Sequence, residues 1–419
     1  MTDVHPRARD TWTAPAKLDE VAARALESGL RRVQMLAWRD LDDPEAGGSE
    51  RHAHHVASRW ADAGLDVTMR TSVASGHRSR TERDGYHVLR KGKRYSVFPR
   101  SALSGVAGRG GRPDGLVEIW NGMPFFSPLW ARCPRITFLH HVHAEMWQMT
   151  LRPWHARAGA FVERRVAPPL YRGTRVVTLS ESSRREIVSM LGLRSSRVSV
   201  VRPGIDDLFA PGGSRSPSPL VVAVGRLVPV KRFDLLIDAL AHVRRSVPDL
   251  RAVIVGEGYE RARLEARRRD AGAEGWLELP GYKEDKELLD VYRSAWVLAS
   301  TSQREGWGMT ISEAGACATP AVVSRIAGHV DAVEDQVSGL VADLDTGDDG
   351  RGDRRPWSGF AEALRAVLTD RVLRARLGHG ARARADELSW DTTASGTLDA
   401  LVDEAVAGKH PVARDRAAW

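Results

Sequence analysis

What most constrains this chain is an alternation that runs along nearly its whole length and is interrupted once. Short apolar runs, each followed by a stretch long enough for a helix, recur on both sides of Pro211-Gly212-Gly213-Ser214-Arg215-Ser216-Pro217-Ser218-Pro219. That punctuation marks a linker. Before it, the pattern predicts a helix over 17–28 and strands over 33–37, 65–73, 116–120, 136–139, 176–179 and 198–201. A basic, paired strand region is expected over 86–98. Ser49 and Ser180 are placed to cap the helices that follow them, the first running over 49–63. Beyond the linker the expected strands are 220–224, 251–255, 276–279, 296–300 and 321–324. Runs this short and apolar suit strands buried on both faces of a parallel sheet. Strand–helix repetition makes each half a doubly wound, Rossmann-like α/β unit. The expected division is a first domain over 1–205, a linker over 206–219, a second domain over 220–389 and a terminal segment over 390–419. Ligands of such sheets sit beyond the carboxyl ends of the strands, so two facing sheets share one cleft.

A length of 419 residues with 42% hydrophobic side chains supports a core in each domain. No apolar stretch approaches the roughly 20 residues that cross a bilayer. The first thirty residues are charged and lack an apolar signal core, so a cytoplasmic location is expected. Cys133 and Cys317 fall in different domains without metal-ligand spacing, which suits buried, reduced thiols. Charge is uneven: residues 1–205 hold 33 Lys and Arg against 20 Asp and Glu, whereas the remainder holds 29 against 34. The excess gathers in Arg90-Lys91-Gly92-Lys93-Arg94 and between Arg152 and Arg185. Two readings stand, an arginine-rich but merely solvated face, or a surface for anionic lipid or an anionic acceptor on the inner side of the cell membrane. Nucleic acid is not an expected partner, since no helix-turn-helix, zinc or base-stacking module accompanies the charge. Residues 348–357 are polar and glycine-rich and read as a surface loop.

Two loops carry the chemistry. Gly225-Arg226-Leu227-Val228-Pro229-Val230-Lys231 follows an apolar strand and places two cations before a helix starting near Phe233. Cations there oppose the helix dipole, so an anion between them is needed to offset the cost. Arg can hold a diphosphate through its fork, Lys as a compact charge. Lysine is scarce, limited to Lys17, Lys91, Lys93, Lys231, Lys283, Lys286 and Lys409, which singles out position 231. The second loop, Glu305-Gly306-Trp307-Gly308-Met309-Thr310-Ile311-Ser312-Glu313, brings backbone N–H groups to a helix start, an anion site flanked by two carboxylates. Carboxylates accept hydrogen bonds from sugar hydroxyls. Cations for phosphates and carboxylates for sugars together describe a nucleotide-sugar pocket. Gly47 and Gly48 sit at the first strand–helix turn, where glycine permits close backbone approach to a phosphate or sugar. The acidic stretch 38–46 before them could form part of an acceptor mouth. His140, His141 and His143 follow the strand at 136–139, and their spacing makes poor facial geometry for a metal, so none is expected.

With Gly47-Gly48-Ser49-Glu50, Pro203-Gly204-Ile205-Asp206, Val255-Gly256-Glu257-Gly258, Pro280-Gly281-Tyr282 and Ser389-Trp390, these segments resemble, in order and spacing, glycosyltransferase family 4 over nearly the whole chain. The resemblance implies the GT-B fold, two Rossmann-like domains facing across a cleft, with the segment after Trp390 crossing back to the first. It implies retaining, metal-independent hexosyl transfer from a UDP- or GDP-linked sugar to an acceptor hydroxyl, with no further cofactor, while the basic first half suggests a cell-envelope glycan or lipid-linked precursor as that acceptor. Arg226 and Lys231 would grip the donor diphosphate, Glu313 the ribose, and Glu305 the donor sugar beside the N–H groups of Gly306, Trp307, Gly308 and Met309. His140 matches the family histidine at the reacting sugar, with His141 the alternative for a one-residue slip. His141 and His143 are candidates for the acceptor. Gly281 and Tyr282 either border the base or are simply packed. Ala327-Gly328-His329-Val330-Asp331 departs from the family's Gly-Gly-x-Pro-Glu loop, which puts the placement of that loop in question. A nucleotide-sugar epimerase, a sugar phosphorylase and a non-catalytic sugar-nucleotide scaffold are the competing readings.

Overall fold

The computed structural model describes residues 16–108, 112–344 and 355–409. The N-terminal arm with Trp12, most of the expected loop at 348–357 and the last ten residues lie outside them. The first sheet contains β1 (Arg32–Leu36), β2 (Asp66–Thr71), β3 (Arg80–Arg83), β4 (Tyr86–Arg90), β5 (Gly115–Ile119), β6 (Arg135–Phe138), β7 (Arg175–Thr178) and β8 (Val198–Val200). Their order is β3-β4-β2-β1-β5-β6-β7-β8, parallel except for the β3–β4 hairpin. The second sheet is wholly parallel, from β9 (Leu220–Val224), β10 (Arg251–Val255), β11 (Leu277–Gly281), β12 (Val297–Ser300), β13 (Ala321–Ser324) and β14 (Gly339–Ala342), ordered β11-β10-β9-β12-β13-β14. Strand order reverses at β1 in one sheet and at β9 in the other. A crevice opens beyond the carboxyl end at each reversal, and the two crevices face one another. Residues 206–219 hold neither strand nor helix.

Several local expectations change. The basic strand region ends at Arg90, and Val97–Val106 is a helix. Ser49 lies inside the helix Gly48–Asp62, whose cap position is Gly47. The Gly47 N–H donates to Glu50 Oε2 at 2.9 Å, so a first-turn carboxylate replaces the serine hydroxyl. Ser180 does cap its helix, accepting from the Ser183 N–H at 3.1 Å. Arg90 leaves the expected basic surface: it is buried and paired with Asp40 at 3.1 Å and Asp42 at 2.6 Å, beside Arg83, which meets the same two carboxylates. The acidic residues before the first glycine turn are thus largely neutralised from beneath.

The helix Trp390–Lys409 packs on Leu18–Glu27 and Gly48–Asp62, joining the core of the first unit through Ala394, Leu398, Leu401, Val402 and Ala405. The Trp60 indole N–H donates to the Ala394 carbonyl at 2.9 Å. Removing a buried leucine such as Leu398 would cost about 2–5 kcal/mol. The chain therefore crosses between units twice, and the crossings touch: Ile205 bridges Ser389 in parallel. A Cβ on Gly204 would stand 2.2 Å from the Trp390 nitrogen, so only glycine lets the two strands lie this close.

Candidate active site between the two units

Arg226, Lys231, Glu305 and Glu313 all line one cleft of about 1910 Å³ between the sheets. The turn after β9 runs through Gly225, whose φ of +158° is close to extended, into Arg226 and then a short 3₁₀ turn at Pro229–Lys231. The Lys231 ammonium pairs with Glu305 Oε1, and Ser302 donates its hydroxyl to that oxygen at 2.9 Å. Burial alone would raise the Glu305 carboxyl; the Lys231 charge, His329 and these hydrogen bonds outweigh it and hold it at about 2. Arg226 Nη1 donates across the cleft to the Glu45 carbonyl at 3.1 Å. Glu313 lies on the helix Met309–Ala316 and accepts from the Tyr292 hydroxyl at 2.8 Å. Burial pushes its carboxyl up, with the nearby Arg51 guanidinium pulling the other way. Arg51, from the first unit, pairs with Asp285 of the second.

The turn after β12 is shaped by close packing. Gly308 has φ +97°, which favours glycine, and a Cβ on Gly306 would lie 2.7 Å from the His140 carbonyl oxygen. Trp307 is buried and donates its indole N–H to Ser312 at 2.8 Å. A Cβ on Gly47 would sit 3.3 Å from Arg226 Nε, and one on Gly48 would sit 3.4 Å from the Met309 sulfur. Tyr282 is 66% exposed at the cleft rim. Gly281 is not on the cleft wall: it ends β11 with φ +94° and packs toward Glu257 and Arg261. Its left-handed backbone, rather than ligand approach, accounts for the glycine.

His140, His141 and His143 all line the cleft. Burial drives each imidazole down, His141 to about 4 and the other two well below the usual range, so all three are neutral near pH 7. His140 Nε2, His141 Nε2 and His143 Nδ1 are buried without a protein partner, as befits groups that a polyhydroxyl ligand would satisfy. Among the described residues no three His, Cys, Asp or Glu side chains converge so as to hold a metal ion. The departing loop turns away from the cleft. Asp331 accepts from the Ser182 N–H at 3.2 Å and from its hydroxyl, and the Gly328 N–H donates to Ser182 Oγ at 2.8 Å. The shortened acid therefore ties the two units together, while His329 sits buried behind Glu305, bonded to Ser300 and Ser324.

Besides Arg51, sequence reasoning missed three contributors. Glu163, in a π-helical turn at Val162–Val166, accepts from the N–H groups of His143 (2.7 Å) and Ala144 (3.1 Å) and from the Trp147 indole (2.9 Å), so it fixes the histidine loop. Glu118 clamps the next loop through Phe125 N–H, Ser127 N–H and Tyr171. Arg39 enters the cleft from the first unit. The first unit also supplies an apolar wall, with Trp38, Phe98, Phe126, Leu129, Trp130 and Trp147 among its side chains.

The architecture is that of the GT-B glycosyltransferases. Sucrose-phosphate synthase from Thermosynechococcus elongatus superposes with a TM-score of 0.73 at 19% identity, over 88% of this chain and 97% of that one. Anabaena HepE in complex with UDP and glucose gives 0.66 at 18% identity, over 90% and 100%. The family model "Glycosyltransferase Family 4" matches residues 46–209 and "Glycosyl transferases group 1" matches 204–384. The chain belongs to glycosyltransferase family 4. A D-inositol 3-phosphate glycosyltransferase of Kribbella flavida is 32% identical over 54% of this chain and 55% of its own length. The match thus spans about half of that relative. A protein of the same name from Stackebrandtia nassauensis is 27% identical over 93% and 96%.

Proposed function

We propose that the chain is a retaining, metal-independent hexosyltransferase that moves a sugar from a nucleotide diphosphate to an acceptor hydroxyl. One observation carries the reading: Arg226 and Lys231 share a single inter-unit cleft with Glu305 and Glu313. Fixed cations there neutralise the departing diphosphate as its charge develops, which is where electrostatic preorganisation contributes most. Glu305, ionised and held by Lys231, accepts from donor-sugar hydroxyls. Glu313 takes the ribose. The neutral His140 ring offers its unpartnered Nε2 to the reacting sugar. The acceptor oxygen attacks the anomeric carbon on the face that the diphosphate leaves. Its proton passes to the leaving phosphate oxygen, so no covalent enzyme carboxylate is needed. Contacts such as Gly306 against His140 keep the units closed, limiting water as a competing acceptor.

The first unit would hold the acceptor. Its apolar wall supports a lipid-linked envelope precursor, and exposed Trp154 and Phe161 beside exposed Arg152, Arg157, Arg164 and Arg165 support contact with an anionic membrane surface. No described helix is long and apolar enough to cross a membrane. The test is nuclear magnetic resonance of UDP- and GDP-hexoses with the protein and a lipid-extract acceptor. Transfer with retained anomeric configuration, without added metal and lost in Glu305→Ala and Lys231→Ala, is expected. Epimerised donor without any acceptor, or unchanged turnover in both variants, would overturn the reading.

A further inference from the structure

Arg39 is absorbed by neither sequence motif, yet it lines the cleft. Its neighbours fix it there. Asp40 and Asp42 are drawn inward to Arg83 and Arg90, while Trp38 is stacked between the guanidinium groups of Arg39 at 4.2 Å and Arg94 at 5.2 Å. The Trp38 indole N–H is tied to the Arg94 carbonyl at 2.6 Å. Held between these anchors, Arg39 is only 8% exposed and lines the cavity.

The Glu50 and Glu45 carboxylates lie near enough to act on its charge, but its direct hydrogen bond goes to a neutral acceptor. Arg39 Nη1 donates to the Glu45 carbonyl at 2.5 Å, and that same oxygen receives Arg226 Nη1 at 3.1 Å from the opposite unit. Two guanidinium groups thus converge on one neutral acceptor. The Glu45 carboxylate is 3.9 Å from Arg39 and is itself bidentate to Arg94, at 2.9 and 2.8 Å. Arg39 Nε is buried without any partner. A buried cation beside a like charge, with an open donor, is costly unless an anion completes the set. A guanidinium whose Nε–H is unpartnered suits a phosphate oxygen.

We propose that Arg39 is a third phosphate-binding cation of the cleft, meeting from the first unit the anion that Arg226 meets from the second. The inference rests on the nucleotide-sugar reading for the identity of that anion, the donor diphosphate, with a phosphate on the acceptor as the other source. Because its two ligands come from opposite units, the phosphate also latches the closed arrangement. Arg39 supplies charge and hydrogen bonds only; no bond is made or broken at it.

The experiment is calorimetric titration of wild type, Arg39→Gln and Arg39→Lys with inorganic pyrophosphate, UDP, GDP, the corresponding nucleosides and D-inositol 3-phosphate. Arg39→Gln should weaken the diphosphates at least about tenfold and leave nucleoside binding unchanged, with Arg39→Lys intermediate and a shallower salt dependence in Arg39→Gln. Arg39→Lys keeps the charge and serves as the folded comparison should the glutamine variant unfold. If only the inositol phosphate weakens, the phosphate belongs to the acceptor and the cation site stands. Identical affinities in all three proteins for every phosphate would overturn the inference while leaving the transferase reading intact. Arg39-dependent pyrophosphate binding, with no nucleotide bound by wild type, would instead sink the nucleotide-sugar reading alone.

Discussion

Burying neutral histidines makes this fold sensitive to mild acid, and His52 is the place to measure it. Its ring is fully buried among Phe138, His140 and Trp390, with centroids 5.1, 4.8 and 6.0 Å away, and neither ring nitrogen has a partner. Burial holds His52 at about 4, and His141 and His329 likewise, against an ordinary value of 6.5. A base with a depressed folded value binds fewer protons folded than unfolded. Stability is therefore full above the unfolded value and falls as pH drops from 6.5 toward 4. At a pH of about 5.5 each such histidine costs about 1.4 kcal/mol, so the three together remove about 4 kcal/mol from a total that is typically about 5–15. Carboxyls pushed up by burial, Glu118, Glu163 and Glu313, act in the opposite sense, which is why a variant is compared with wild type rather than read alone. His52→Leu keeps an apolar side chain of similar size and removes one titrating group. Urea unfolding should show His52→Leu losing about 1.4 kcal/mol less than wild type between pH values of about 8 and 5.5. Equal losses in the two proteins would refute the neutral-burial argument.

Other outcomes follow from the same geometry. Glu163→Gln swaps a carboxylate for an amide that can still accept but also places an N–H₂ against three donors; turnover should fall at least about tenfold with nucleotide affinity nearly unchanged, and stability should drop by about 1–3 kcal/mol in thermal melts. Gly306→Ala puts a methyl against the His140 carbonyl and so holds the units apart; transfer should fall more steeply than melting temperature, and equal activity would show that the contact is slack. Tyr292→Phe removes the hydroxyl on Glu313, and the KM for donor should rise by about three- to tenfold, that hydrogen bond being worth about 1 kcal/mol.

The sequence displays some elements and hides others for physical reasons. Leu220–Val224, Arg251–Val255 and Ala321–Ser324 are legible because a strand covered on both faces needs a continuous apolar run, and those boundaries coincide with the expected ones. The β3 hairpin strand reads Arg-Thr-Glu-Arg, an edge with polar side chains that carries no periodic signal, and Gly339–Ala342 is too short to stand out from a loop. Arg226, Lys231 and Glu305 sit on turns, and Glu313 on the helix that follows one, in an order along the chain that is itself a motif. Arg39, Arg51 and Glu163 have no such local signature. Arg39 shares the Glu45 carbonyl with Arg226, Arg51 pairs with Asp285 and Glu163 holds the histidine loop, and only the folded topology brings these groups together. The basic run at 90–94 shows the opposite failure: residues that look like surface charge include Arg90, which is buried against Asp40 and Asp42.

Whether the fixed cations and carboxylates of the inter-unit cleft hold a nucleotide diphosphate sugar is decided by melting the protein with a panel of UDP-, GDP- and ADP-hexoses. A ligand at about a hundred times its Kd adds about 2.7 kcal/mol of apparent stability. Such a shift is expected for one nucleotide class, largely abolished in Lys231→Ala. No shift with any member of the panel at millimolar concentration, or an equal shift in Lys231→Ala, would contradict it.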